Sequence, residues 1–311
     1  MTVLISGSVA FDTIMVFQDR FKNHILAEQV HILNVSFLVP ELRREFGGCA
    51  GNIAYNLKLL GENPLPLATV GGDFAPYARW LEQCGIDTRF VRVLEDSYTA
   101  QAFITTDIDD NQITAFHPGA MNSAHLVDVP TDVGARIGVV APNGRQGMLH
   151  HARQFKAAGI PFVFDPGQGL PMFDGEELLT FIDQADWVAV NDYESQLLQE
   201  RTGQRLEALA ERVKALVVTR AGEGSTIYAD GRRILIPAVQ AEAVLDPTGC
   251  GDAYRAGLLY GLLHDLPWEQ TGRIASLMGA IKVASHGTQN HRFTMDEFRA
   301  RYRAAFGEEF P

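Results

Sequence analysis

The segment Asp246-Pro247-Thr248-Gly249-Cys250-Gly251-Asp252-Ala253 sets a glycine-flanked turn directly before residues 254–263, whose small side chains fall on one helical face. A turn that opens a helix aims several backbone N–H groups at one spot, and the helix dipole favours negative charge there. Asp252, in the first helical turn, adds a carboxylate beside that anion cradle. Amides of Gly249, Cys250 and Gly251 facing an oxyanion, with Asp252 as general base, make the arrangement that phosphoryl transfer to an alcohol requires. A capped helix with an acidic first turn explains this stretch equally well, so the rest of the chain must decide.

Other chemically suited groups recur along the chain. Asp12 follows the apolar stretch 3–6, and a turn aspartate bonding its own backbone would also stand there. Gly47-Gly48-Cys49-Ala50-Gly51-Asn52 runs into helically spaced Ile53, Ala54, Leu57 and Leu60; its glycines allow close backbone approach to a ligand. Asp12, Gly48 and Asn52 together suit the hydroxyls of a sugar. Asn191 and Glu194 are oxygen ligands suited to magnesium held largely through water, or simply a polar helix start. Thr219-Arg220-Ala221-Gly222-Glu223-Gly224 is a second glycine-containing loop, able to approach a phosphate or ribose through Thr219, Gly222 and Gly224. Phe116 and His117, with Gln101 on the neighbouring strand, offer a flat face and hydrogen-bonding groups suited to a nucleobase. Phe116 would equally plug a small core.

The elements that must position these groups are those of an α/β protein. Short, nearly all-apolar strands are expected at 3–6, 65–70, 137–141, 161–164, 187–190 and 216–218, alternating with helices, which predicts a parallel sheet covered on both faces. The polar and glycine-rich residues stand where these strands end, and ligands of open α/β sheets bind outside the carboxyl ends of the strands. Segments 89–93, 99–106 and 112–116 lack intervening helices and read as an antiparallel layer, joined by part of 16–45, where Val30, Ile32 and Val35 suggest extended pieces. The expected division is a large catalytic domain of residues 1–15, 46–88 and 119–311, with 16–45 and 89–118 forming a small β lid.

Composition narrows the function class. Apolar residues make up 46% of 311, enough for a sizeable core, and a net charge of −12 with no basic block argues against a nucleic-acid partner. Three widely spaced cysteines suggest neither a disulfide framework nor a zinc site. The first residues have no basic region and too short an apolar run for a signal peptide, and no apolar stretch reaches membrane-spanning length, so a cytoplasmic protein without a membrane partner is expected. No Gly-x-Gly-x-x-Gly follows the first strand, which disfavours a dinucleotide-binding dehydrogenase.

Gly47-Gly48-Cys49-Ala50-Gly51-Asn52-Ile53-Ala54 together with residues 246–253 resembles the paired signatures of the PfkB, or ribokinase, family of carbohydrate kinases, and Asn191-Asp192-Tyr193-Glu194 matches its Asn-x-x-Glu element. Phe116-His117-Pro118-Gly119-Ala120-Met121-Asn122 and Asp165-Pro166-Gly167-Gln168-Gly169 resemble bacterial and archaeal adenosine or broad nucleoside kinases. The resemblance implies a ribokinase-like three-layer α/β/α fold and ATP-dependent phosphorylation of a nucleoside 5′-hydroxyl. A free furanose is the alternative acceptor, and a non-catalytic nucleoside sensor a further reading. It implies Asp252 as base; Gly249, Cys250 and Gly251 as anion hole; Asp12, Gly48 and Asn52 on the ribose; and Mg2+ at Asn191 and Glu194. Thr219, Gly222 and Gly224 would flank ATP, and Lys282 and His286 would border its adenine. Asp246 and Thr248 would help hold a monovalent cation such as K+, and a homodimer is compatible with the family. Pro247 stands where threonine is usual, Cys250 where alanine is usual, and Ala221 where the nucleotide loop usually has glycine.

Overall fold

The computed structural model describes residues 1–25, 34–109 and 111–311. Val30 and Ile32 therefore lie outside the described residues. In chain order the elements are β1 (Thr2–Ser6), β2 (Ala10–Val16), β3 (Glu41–Gly47), α1 (Cys49–Leu59), β4 (Asn63–Gly71), α2 (Ala75–Gln83), β5 (Val91–Leu94), β6 (Ala100–Thr106) and β7 (Gln112–His117). There follow β8 (Ala135–Val140), α3 (Arg145–Ala158), β9 (Phe162–Phe164), α4 (Gly175–Gln184), β10 (Trp187–Asn191), α5 (Asp192–Thr202), α6 (Leu206–Ala210) and β11 (Ala215–Thr219). The hairpin β12 (Ser225–Ala229) and β13 (Arg232–Ile236) precedes three helices, α7 (Cys250–Leu263), α8 (Trp268–Val283) and α9 (Met295–Phe306). None of the described helices is long and apolar enough to cross a membrane.

The large sheet runs β13-β12-β11-β10-β9-β8-β1-β4-β5, parallel throughout except for the β12–β13 hairpin at one edge. Its central strands are apolar on both faces because both are covered. Val3 and Ile5 pack on the side of α1, α2, α7 and α8, and Leu4 on the side of α3 to α6; Val139/Val140 and Val217/Val218 divide in the same way. Two hydrophobic layers, one on each face, give the expected three-layer α/β/α architecture. The strand order reverses at β1, which leads one way to β4 and has β8 on its other side. That reversal opens a crevice at the carboxyl ends of the strands.

The second sheet has four strands in the order β3-β2-β6-β7. Three features differ from expectation. Val91–Leu94, expected in this small layer, pairs in parallel with β4 at the edge of the large sheet; α2 supplies the crossover that a parallel neighbour needs. The small sheet is also not wholly antiparallel, since β2 and β6 run parallel. Its strand β2 includes Asp12, so the small sheet begins earlier in the chain than residue 16.

Candidate active site

Gly249 caps α7 with φ +78°, a left-handed conformation that favours glycine, and turns the chain so that the helix begins at Cys250. Among the described residues the N–H groups of Gly249, Gly251 and Asp252 have no protein acceptor, whereas the Cys250 N–H turns back to Pro247 O at 3.1 Å. The cradle thus keeps free donors at a helix N-terminus, but Cys250, expected to be one of them, is already engaged.

Asp252 lies in the first turn of α7, half-buried, and its Oδ2 accepts from Asn52 Nδ2 at 2.8 Å. Desolvation pushes its carboxyl up to about 7; the Asn52 hydrogen bond opposes this most, Asp165 adds to the rise and Arg255 counters it. A carboxylate poised near neutrality is suited to take a proton from an alcohol. Asn52, expected to hold ribose hydroxyls, is hydrogen-bonded at both ends of its amide. Its Oδ1 accepts from Gln289 Nε2 at 3.0 Å, and Gln289 also donates to Tyr77 Oη at 2.5 Å and accepts from Trp80 Nε1 at 2.8 Å. This relay from α2 through the C-terminal loop fixes the rotamer of Asn52 and so the Asp252 carboxylate. Gln289, Tyr77 and Trp80 carry no sequence signal, because a loop glutamine and two aromatics have no spacing that marks them.

Below the base lies a buried ion pair that the sequence reading does not anticipate. Arg255 Nη2 donates to Asp165 Oδ1 at 3.1 Å, and both side chains are about 6% exposed. Nε and Nη1 of Arg255 have no partner among the described residues. A lone arginine amid the apolar face of α7 is the one signal that could have found it, since such residues are rarely buried unless paired.

Gly48 has φ +84°, and a Cβ there would stand 2.6 Å from Ser8 O and 2.7 Å from Ala10 N. Only glycine lets β3 pass into α1 so close to β2. Asp12 sits beside this crossing, its carboxyl pushed up to about 6 by burial first and then by the charges of Asp246 and Glu45. Cross-strand register divides the expected base pocket. Phe116 is opposite Ala102, which is opposite Asp12, so Phe116 and Asp12 share one face of the small sheet. Gln101 and His117 pair with each other and with Phe11 on the other face, where Gln101 Nε2 donates to Thr13 Oγ1 at 2.6 Å. Phe116 is 51% exposed, an aromatic face left open on the Asp12 side rather than a core plug.

At the nucleotide end, Asn191 and Thr219 stand side by side at the ends of β10 and β11. Asn191 and Glu194 form a reciprocal capping box: Asn191 Oδ1 accepts from the Glu194 N–H at 2.7 Å, while Glu194 accepts from the Asn191 N–H at 2.8 Å and from its Nδ2 at 2.9 Å. The polar helix start is therefore real, and each Glu194 carboxylate oxygen, accepting one hydrogen bond here, keeps a further lone pair. Among the described residues no three His, Cys, Asp or Glu side chains gather to hold a metal. In the following loop Gly222 has open space around it and Gly224 takes φ +84°. Ala221 adopts φ +45°, so the loop keeps a glycine-like turn at a cost of about 1–2 kcal/mol.

His286 is exposed in the loop after α8, but Lys282, expected beside the adenine, is fully buried. Its Nζ reaches under the turn before Gly249 and donates to Asp246 O at 2.7 Å and Ser285 O at 3.2 Å. The Asp246 carboxylate accepts from the Thr248 N–H and the Gly287 N–H, each at 2.9 Å. One loop residue further, Thr288 Oγ1 donates to Phe46 O at 2.6 Å, which joins the end of β3 to the same loop.

Known proteins resemble this chain over most or all of its length. A family model described as pfkB family carbohydrate kinase matches residues 8–294. A nucleoside kinase of Methanocaldococcus jannaschii is 35% identical over 268 residues, covering 85% of this chain and 87% of the relative. The structure of Burkholderia thailandensis nucleoside kinase in complex with inosine is 50% identical, covers 99% of each chain and superposes with a TM-score of 0.90. The same kinase in complex with ADP-inosine is 51% identical, with a TM-score of 0.87 over 99% of this chain and 97% of that one. With the crevice at the strand reversal, a carboxylate fixed beside free helix-terminal donors, and a matching family model over nearly all its length, the chain belongs to the pfkB family of carbohydrate kinases, phosphotransferases that act on an alcohol.

Proposed function

We propose that this chain transfers the terminal phosphoryl group of ATP to the 5′-hydroxyl of a nucleoside. The observation that carries the chemistry is Asp252, held by Asn52 beside the unpaired N–H groups of Gly249, Gly251 and Asp252. Asp252 would take the hydroxyl proton while those donors receive the charge that develops on the transferred phosphoryl group. Asp12 and Gly48 would meet the ribose, and Phe116, open on the face of Asp12, would stack on the base. His117 and Gln101, on the opposite face, drop out of direct base recognition. The kinases from Methanocaldococcus and Burkholderia support a nucleoside as acceptor, and the ADP-inosine complex of the latter supports an adenine nucleotide as its partner.

Thr219, Gly222, Gly224 and His286 would line the ATP side. Asn191 and Glu194 would hold Mg2+ through water, as an ion that keeps several of its waters, and it would screen the phosphate charge. The small sheet would close over the nucleoside as a lid. Its face opposite Asp12 exposes Leu42, Phe103 and Ile113, which a second copy of the chain would cover in a homodimer; light scattering at micromolar concentration reads that directly. The three cysteines are unpaired, which suits the reducing cytoplasm.

The deciding experiment compares kcat/KM for inosine, adenosine, guanosine, cytidine, ribose and fructose with ATP. Nucleosides should exceed the free sugars by at least about tenfold, the scale of one lost stacking contact. A free sugar as the best substrate would leave the mechanism in place and replace the acceptor.

A further inference from the structure

The turn that presents the anion cradle rests on a positive charge supplied by the chain itself. Lys282 is in the last turn of α8, its side chain without exposed surface. A lysine is almost never fully buried unless its ammonium is paired. Here the partners are main-chain oxygens: Asp246 O at 2.7 Å and Ser285 O at 3.2 Å, with the Asp246 carboxylate 4.0 Å away. Carbonyl oxygens converging from two loops, with a carboxylate beside them, are the oxygen donors that a hard monovalent cation selects.

The same place ties the cradle to the C-terminal loop. The Leu245 and Asp246 N–H groups both donate to Val283 O, and the Asp246 carboxylate receives the Thr248 and Gly287 N–H groups. The Asp246 carbonyl points down to the ammonium, and the turn above it leaves the Gly249 and Gly251 N–H groups unpaired. An alkali ion bound to these oxygens would lie within contact distance of Nζ, in a desolvated place where two positive charges repel strongly. The residues present therefore do not fit the potassium ion expected at Asp246 and Thr248.

We propose that the Lys282 ammonium is a built-in replacement for a monovalent metal ion, holding the anion-binding turn in shape so that phosphoryl transfer by this chain needs no potassium. Lys282 is a positioning residue here, and its role rests on the reading of residues 249–252 as the phosphoryl-binding turn.

The test uses the intact protein in potassium chloride and in tetramethylammonium chloride at matched ionic strength. For the wild type, inosine turnover, the affinity for ADP by calorimetry and the melting temperature should each be the same in both salts. A roughly tenfold gain in kcat or ADP affinity with potassium would overturn the proposal. Lys282→Met should lose about tenfold or more in kcat in tetramethylammonium with little change in nucleoside KM, and potassium or ammonium should restore part of it and raise the melting temperature. Lys282→Arg keeps the charge and should remain indifferent to potassium. A Met variant that folds, is fully active and ignores potassium would also overturn it; one that does not fold leaves the wild-type and Arg comparisons to decide. ADP affinity is read apart from turnover, so absent nucleoside phosphorylation would sink the proposed function while the salt comparison still judged the lysine.

Discussion

At the scale of the residue, the environment of Asp252 makes a prediction about pH. Its carboxyl is pushed up to about 7, so the free enzyme holds it protonated below that value and ionised above it. Only the ionised form can accept the alcohol proton, hence kcat/KM should fall as pH drops through about 7 and level off above. The Asn52 hydrogen bond lowers this pKa, so Asn52→Ala should move the acid limb to higher pH, whereas a merely structural asparagine would lower activity without moving it. A pH series from acid to mildly alkaline conditions distinguishes the two. Asp252→Asn should reduce kcat by roughly 10²–10⁴-fold with nucleoside affinity largely retained, measured by single-turnover kinetics and calorimetry. Much of the candidate site is legible at this scale, because Gly249, Gly251 and Asp252 stand next to one another in the chain. What holds them is not. Gln289 meets Asn52 across 237 residues, and Lys282 meets Asp246 across 36, contacts that no local spacing announces.

At the scale of the element, the apolar strands were the readable part. β1, β4, β8 to β11 are buried on both faces and so appear as unbroken apolar runs, each close to its expected span. β5 misled because it is an edge strand of four residues, none of them fully buried, where Arg92 interrupts the apolar pattern that marks its central neighbours. Asn191 and Glu194 were read for a metal site as well as a helix start, since an Asn-x-x-Glu spacing serves both; hydrogen-bond geometry shows the start. The helix α7 joins the two halves of the site, and its stability there depends on Arg255 finding Asp165 at the end of β9. Asp165→Asn would leave a buried guanidinium short of its counter-charge and should cost about 3–5 kcal/mol, seen as a lower denaturation midpoint with an unchanged slope. A loss below about 1 kcal/mol would mean that Glu194 and solvent compensate.

At the scale of the whole molecule, the small sheet is joined to the large one by four chain crossings, β1 to β2, β3 to α1, β5 to β6 and β7 to β8, and Gly48 lies at the first two. Hydrogen exchange with and without inosine should show new protection in β2, β3, β6 and β7 and little change in β9 to β11; equal exchange in the small sheet at saturating inosine would count against closure. The Thr288 hydroxyl on Phe46 O gives that closure a further consequence, for the accuracy with which ATP is used. Water is small and abundant, and a kinase that assembled its reactive geometry around ATP alone would squander the nucleotide by hydrolysis. Here β3 and the loop beneath the anion turn are latched together, so an acceptor that drew the small sheet inward would also steady the groups proposed to receive the phosphoryl charge. Thr288→Val removes the latch hydrogen bond while keeping the shape of the side chain. The variant should release more inorganic phosphate for each nucleoside monophosphate formed, and equal ratios in the two proteins would show that the turn discriminates against water without any signal from the sheet.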